Sequence, residues 1–129
     1  MTTRLLVPVA LVTLAAGPLA AVSPEAAAAG DGYHGYVACS TKASAKPTHQ
    51  CKLSQTKAAF FVSSGHDATY KVCVKFPGRR QRLCASAQPA PKGKKRFVTI
   101  ATANTGKHVV KWYVDNRLVE SWTFQVTAG

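Results

Sequence analysis

KHVVKWYVDNRLVESWTFQV, residues 107–126, decides the fold. Val110, Trp112 and Val114 recur at every second position. Asp115-Asn116 then interrupts, after which Leu118, Trp122, Phe124 and Val126 resume the same period. A period of two is the mark of a strand, because successive side chains point to opposite faces of a pleated backbone. Asp and Asn both tolerate the dihedral angles of a tight turn, so the stretch reads as one long antiparallel hairpin. Uniting its two apolar faces requires an odd loop, such as a three-residue turn with a bulge, rather than a plain two-residue turn. Lys111, Ser121, Thr123 and Gln125 are then expected to face water, with Glu120 the misfit on the apolar side, near an edge.

Upstream, short apolar segments alternate with turn chemistry. Strands are expected at His34–Cys39, at Lys57–Ser63 (KAAFFVS), and at Arg96–Ala103, where Val98 and Ile100 share one face and Phe97, Thr99 and Ala101 the other. A further hairpin spans Thr69 to Ala87 and turns at Pro77-Gly78-Arg79-Arg80. STKASAKPTHQ, residues 40–50, reads as a polar loop, and PAPKGKKR, residues 89–96, as a connector. About seven strands and no helical pattern predict an all-β chain folded as an antiparallel sandwich or barrel.

Residues 107–126 also resemble the closing strands of bacterial extracellular immunoglobulin-like domains, which finish in a pattern like W-Y-V-D, turn, V-x-x-W-x-F-x-V. The resemblance implies an immunoglobulin-like sandwich and an adhesion or ligand-presenting role.

Cys39, Cys51, Cys73 and Cys84 are the only cysteines. An even number in an exported chain reads as two disulfides, for which three connectivities exist. The favoured pairing is Cys39–Cys51 with Cys73–Cys84. If Phe76 pairs with Gln81 across the turn, Cys73 falls directly opposite Cys84, at a distance a disulfide can span. That register puts Tyr70, Val72, Val74, Phe76, Leu83 and Ala85 on a core face. Lys71, Cys73, Lys75, Arg82 and Cys84 fall on a basic outer face. A zinc site is disfavoured, since no C-x₂₋₄-C spacing occurs.

Export is expected from the first residues. Arg4 precedes an apolar run from Leu5 to Val22, and small residues follow, with an A-x-A site at Ala27–Ala29. This is the order of a secretory signal peptide, expected over residues 1–29, with the sandwich domain over 30–129. Pro8, Pro18 and the small-residue site argue against a membrane anchor, and no cysteine follows the run as in a lipoprotein. The Ala-rich leader has an actinobacterial style. The expected location is extracellular.

Little in the remainder suggests catalysis. The acids available after the leader are Asp31, Asp67, Asp115 and Glu120, with nothing to pair two of them in a cleft. Ser64-Gly65-His66-Asp67 holds the letters of a catalytic triad, yet a triad is a spatial arrangement and not a run of neighbours. His34, His49, His66 and His108 share no ligand spacing and are expected in turns or solvent. No enzyme activity, cofactor or metal is expected. Phe60, Phe61, Phe76, Phe97, Trp112, Trp122 and Phe124 are expected in the core, which leaves Tyr33, Tyr36 and Tyr113 for the surface and argues against a specific nucleic-acid partner.

Charge is the remaining clue. The chain of 129 residues carries 17 Lys and Arg against 5 Asp and Glu, a formal charge of +12. Removing Arg4 and Glu25 leaves that difference unchanged. Such a surface attracts anionic polymers through forces that salt weakens. The candidate binding residues fall in two groups: Lys71, Lys75, Arg79, Arg80 and Arg82 on the hairpin, and Lys92, Lys94, Lys95 and Arg96 on the connector. The expected function is therefore a secreted, non-catalytic module that binds an anionic extracellular or cell-envelope polymer. The alternative is a proteinaceous hydrolase inhibitor that presents the 77–80 turn. In size, compartment and two-bridge economy the chain is similar to the small β-sandwich amylase inhibitors of actinomycetes, although their W-R-Y triplet is absent.

Overall fold

The computed structural model describes residues 32–129, so the leader expected over residues 1–29 and Asp31 lie outside the described residues. Strands run in the order β1 (Tyr33–Ala38), β2 (Gln50–Lys52), β3 (Lys57–Ser63), β4 (Ala68–Lys75), β5 (Leu83–Cys84), β6 (Gln88–Ala90), β7 (Arg96–Ile100), β8 (Gly106–Val114) and β9 (Arg117–Thr127). They form two sheets. The smaller has the order β1-β3-β7; the larger has the order β2-β9-β8-β4-β5, with β6 continuing the edge beside β4. The chain passes between the sheets as an immunoglobulin-like sandwich requires. Short β2, β5 and β6 raise the strand number above the seven or so expected. β2 begins at Gln50, the last residue of the expected polar loop, and its pairing with β9 is parallel, an exception in an otherwise antiparallel fold.

The β8–β9 hairpin solves its parity problem differently from the expected three-residue turn. Its turn has two residues, Asp115 (φ 53°) and Asn116 (φ 62°), the left-handed pair that matches the twist of a hairpin. Tyr113 pairs with Leu118 but Trp112 pairs with Glu120, so Val119 is an extra residue in β9. This bulge flips the faces once. Leu118 consequently sits beside Tyr113 on the outer side, and Val119 takes the core position expected for Leu118, fully buried.

The core lies between the sheets. Phe61 of the small sheet stacks on Tyr70 of the large one, with ring centroids 4.6 Å apart. Trp112, Val110, Phe124 and Val126 fill the large sheet's inner face. Gly35 in β1 lies against the Trp112 indole so closely that a Cβ there would stand 2.7 Å from a ring atom. The β4–β5 register is the one expected: Cys73 faces Cys84 and Val74 faces Leu83. Both favoured disulfides are present, Cys39–Cys51 and Cys73–Cys84. The strand does not continue unbroken to Ala87. Tyr70 pairs with Gln88, one residue out of step with the Cys73–Cys84 pair, because the edge steps between β5 and β6.

His108 departs from the expectation of a turn or solvated imidazole, since it is fully buried on the inner side of β8. Its ring stacks on Phe124 and meets Phe76 edge-on. Nδ1 lies 3.0 Å from the Gly106 carbonyl and Nε2 lies 3.0 Å from the Thr102 hydroxyl. A neutral ring that donates from Nδ1 and accepts at Nε2 satisfies both contacts. Burial holds its pKa below the ordinary 6.5; the nearby Lys57 charge acts the same way, and the Gly106 carbonyl opposes both. In the unfolded chain the ring takes a proton at its ordinary pKa, so below that pH the unfolded state binds more protons. Stability is thus expected to be full above pH 6.5 and to fall as the pH drops toward the folded pKa. Melting curves of the protein and of His108→Gln across that window check this, the variant being expected to show a shallower slope.

Candidate functional site

The outer face of the large sheet collects cations in register. In β8 the residues alternating with the buried His108, Val110, Trp112 and Val114 are Lys107, Val109, Lys111 and Tyr113. In β4, Lys71, Cys73 and Lys75 play the same part opposite Tyr70, Val72 and Val74. Antiparallel pairing sets Lys71 beside Tyr113, Cys73 beside Lys111, and Lys75 beside Val109. On the far side, Ser121 and Thr123 of β9 flank Lys111 and Val109, and Gln125 flanks Lys107.

Near the centre lies a basin of about 240 Å³ lined by Cys73, Lys75, Arg82, Val109 and Lys111. The disulfide half-cystine and Val109 give it an apolar lining, and the cations surround it. Arg82 arches over the face: its guanidinium lies 4.9 Å from the Tyr113 ring centroid and donates a hydrogen bond to the Tyr113 hydroxyl. Lys75 Nζ donates to the Arg79 carbonyl, 2.6 Å away. Arg79 also closes a tight turn, in which its amide donates to the Phe76 carbonyl and Gly78 adopts φ 76°. Proline followed by glycine at the two central positions is the composition such a turn demands. Arg79 and Arg80 project from its end, both exposed.

The described acidic side chains all lie off this face. Asp67 accepts a hydrogen bond from the Lys92 amide, Asp115 forms the β8–β9 turn, and Glu120 pairs with Trp112, a residue of the inner side. The positive potential of the outer face is therefore uncompensated by neighbours in the sheet.

The connector group lies elsewhere. Lys95 Nζ donates to the Ala43 carbonyl and sits over the rings of Tyr36 and Phe60. Those rings belong to a cross-strand row, Tyr36, Phe60 and Phe97, on the outer face of the small sheet. Lys92, Lys94, Lys95 and Arg96 are exposed around that side, and the fold does not merge them with the hairpin group. Phe97 is 41 % exposed, contrary to its expected core position, whereas Tyr33 is buried with its hydroxyl 2.9 Å from His66 Nε2. Lys107 and Lys111 belong with the hairpin cations, although the sequence reading placed neither in the site. Alternation along β8 predicts that Lys111 faces water; only the pairing of β8 with β4 sets it beside Cys73 and places Lys107 two residues beyond the Lys75–Val109 pair.

Ser64, His66 and Asp67 bond in separate directions: Ser64 Oγ to the Gly32 carbonyl, His66 to Tyr33, and Asp67 to the Lys92 amide. A larger depression of about 390 Å³ adjoins this loop, between His66, Asp67, Pro91 and Asp115. Among the described residues no group of His, Cys, Asp or Glu is arranged to hold a metal ion, and no helix is long and apolar enough to cross a membrane.

No family model matches the chain, and no curated protein matches it. Among solved structures, the chain is similar to an immunoglobulin-like protein from Pseudomonas aeruginosa, with a TM-score of 0.54 and 12% identity over 73% of this chain and 90% of that one. That likeness speaks for the fold alone. A weaker match, TM-score 0.42 and 14% identity over 75% of this chain and 31% of the other, is to an alkylpurine DNA glycosylase from Pseudomonas fluorescens bound to DNA. At that score the match carries no argument.

Proposed function

We propose that this immunoglobulin-like domain is a secreted, non-catalytic binding module of actinobacterial type, exported by its leader, that holds an anionic extracellular or cell-envelope polymer against the outer face of its large sheet. The observation that carries this reading is the set Lys71, Lys75, Arg82, Lys107 and Lys111 on one pleated surface without a facing carboxylate. Arg79 and Arg80 extend the same charge beyond the sheet edge. Two disulfides suit an oxidising compartment, where such bridges persist.

The test is retention of the purified protein on a panel of anionic polymers at low and physiological salt. Binding to at least one polymer is expected to survive physiological salt and to fall linearly on a log–log plot against salt concentration. The slope is expected to shrink by roughly one for each face lysine that contacts a charge and is replaced by Ser. Replacing Lys92, Lys94, Lys95 and Arg96 together is expected to leave a larger share of the binding than replacing the face residues. Equal low-salt binding to every polymer, lost at physiological salt whichever group is replaced, would overturn the reading.

Inhibition of a trypsin-like hydrolase by the 77–80 turn is the second reading, favoured by the exposed Arg79 and Arg80 beside the Cys73–Cys84 bridge. Against it, the Arg79 amide is engaged within the turn and its carbonyl by the Lys75 ammonium, so this arginine offers no extended strand to a protease cleft. Stoichiometric, salt-insensitive inhibition would establish it in place of polymer binding.

A further inference from the structure

The lysines of the outer face are not scattered. Reading along the sheet, the register places Lys71 on β4, then Lys111 on β8, then Lys75 on β4, then Lys107 on β8. Each step advances two residues along the strand and crosses to the other strand. Tyr113, Cys73 and Val109 occupy the alternate squares. Diagonal neighbours of this kind stand about 7–8 Å apart, with an advance along the strands of about 7 Å per step. Among the described residues, Lys71, Lys107 and Lys111 have no carboxylate partner, and the central basin lies between Lys111 and Lys75, the middle pair of the series.

We propose that this zigzag is a register for a linear phosphodiester chain whose phosphates are joined by three-carbon units, a polyol phosphate polymer laid along β4 and β8. The inference deepens, and rests on, the anionic-polymer reading above. Its basis is the match of repeats. Two residues of extended strand contain six backbone bonds and advance about 7 Å. A phosphodiester repeat built through a three-carbon unit also contains six bonds, from phosphorus through oxygen, three carbons and oxygen to the next phosphorus. An extended chain therefore presents one negative charge per step of the lysine series. Each ammonium has three donors for a phosphate oxygen.

Single-stranded nucleic acid shares the six-bond repeat but carries bases that need aromatic faces on which to stack. Among the described residues the outer face offers only Tyr113, and Arg82 already covers that ring. The chemistry favours a polymer without bases.

The discriminating variant moves a charge without removing one: Val109→Lys combined with Lys111→Val. Composition and net charge are unchanged and both positions face outward, but the series is broken because the new lysine stands beside Lys75 instead of between rows. Affinities would be measured for 1,3-linked glycerol phosphate oligomers, for inorganic polyphosphate, whose charges recur every two bonds, for poly-L-glutamate, and for an oligodeoxythymidine. The exchange is expected to weaken the glycerol phosphate complex on the order of tenfold while leaving polyphosphate and polyglutamate unchanged. Wild-type affinity for glycerol phosphate oligomers is expected to rise steeply up to the tetramer and more slowly beyond, a measurement that stands even if the exchanged protein fails to fold.

Unchanged glycerol phosphate affinity in the folded exchange variant would overturn the register, as would equal losses on all polymers. Tighter binding of oligodeoxythymidine with the same sensitivity would overturn the choice of occupant. Neither of these results would remove the general anionic-polymer reading. That reading falls only if the wild-type protein binds none of the polymers at physiological salt.

Discussion

Reduction of both disulfides is expected to unfold this domain at physiological temperature. The bridges join residues 12 and 11 apart in sequence, and loops of that size are each worth about 3 kcal/mol on the chain-entropy account. A domain of this size has a total stability of roughly 5–15 kcal/mol, so losing both removes a large share or all of it. The two bridges hold different things. Cys39–Cys51 ties the end of β1 to β2, which pairs with the last residues of β9. The loop it closes packs Ala45 beside Phe60 and supplies the Thr48 carbonyl that accepts the Trp122 indole hydrogen. Cys73–Cys84 pins β5, a strand of two residues with only two register pairs, and with it the neighbouring Arg82.

Circular dichroism melts with and without a reductant check the first statement, and an unchanged midpoint would refute it. The Cys73→Ala/Cys84→Ala protein separates the two bridges. It is expected to remain folded with a lower midpoint and to bind anionic polymer more weakly, because Arg82 is no longer held over Tyr113.

The second large effect is expected at Gly35. A Cβ there would meet the Trp112 indole at 2.7, 2.8 and 3.0 Å from three ring atoms. The ring has nowhere to go: Trp112 is fully buried and sits mid-strand in β8 between β4 and β9. Its near neighbours are close-packed, and forcing a methyl into such a place costs about 1–3 kcal/mol. For a domain near 100 residues that lowers the melting temperature by roughly 10 °C. Gly35→Ala is therefore expected to be more damaging than Gly93→Ala, where no atom stands within 4 Å of the added Cβ and the cost is confined to the positive φ. Trp112→Phe in the Gly35→Ala background is expected to recover part of the loss, since a smaller ring relieves the clash; additive effects would show that the contact is not the cause.

Gly35 illustrates what a single chain of letters hides. Its position in β1 is an ordinary apolar-side position, and nothing local marks it as the place where an indole from a strand some seventy residues away will lie. The bulge at Val119 is similar. Alternation demanded that the hairpin change parity once, but a three-residue turn and a two-residue turn with a bulge satisfy that demand equally. The left-handed dihedrals of Asp115 and Asn116 select the second solution, which exchanges Leu118 for Val119 in the core. His108 shares the alternation of Val110, Trp112 and Val114, yet its residue type alone predicts a turn or solvated ring; the Thr102 hydroxyl and the Gly106 carbonyl that satisfy it in the core come from the preceding loop and the start of its own strand.

Period-two alternation determined the strand character of β4, β7, β8 and β9 and the outward direction of Lys71, Lys75 and Lys111, while aromatic and apolar content marked β3, and the strand count with no helical pattern narrowed the class to a sandwich or barrel. Such alternation follows from the pleat of each segment, a property that neighbours in sequence establish among themselves. The Cys73–Cys84 pair was also legible, because a short turn sets the register of the strands it joins. The tertiary structure alone decided that β4 lies beside β8, that Lys107 and Lys111 therefore interleave with Lys71 and Lys75, and that the connector cations lie against the other sheet. Those outcomes depend on which strands pair across long stretches of chain. Pairing is chosen by how whole faces fill the core together, and no window of neighbouring residues carries that information.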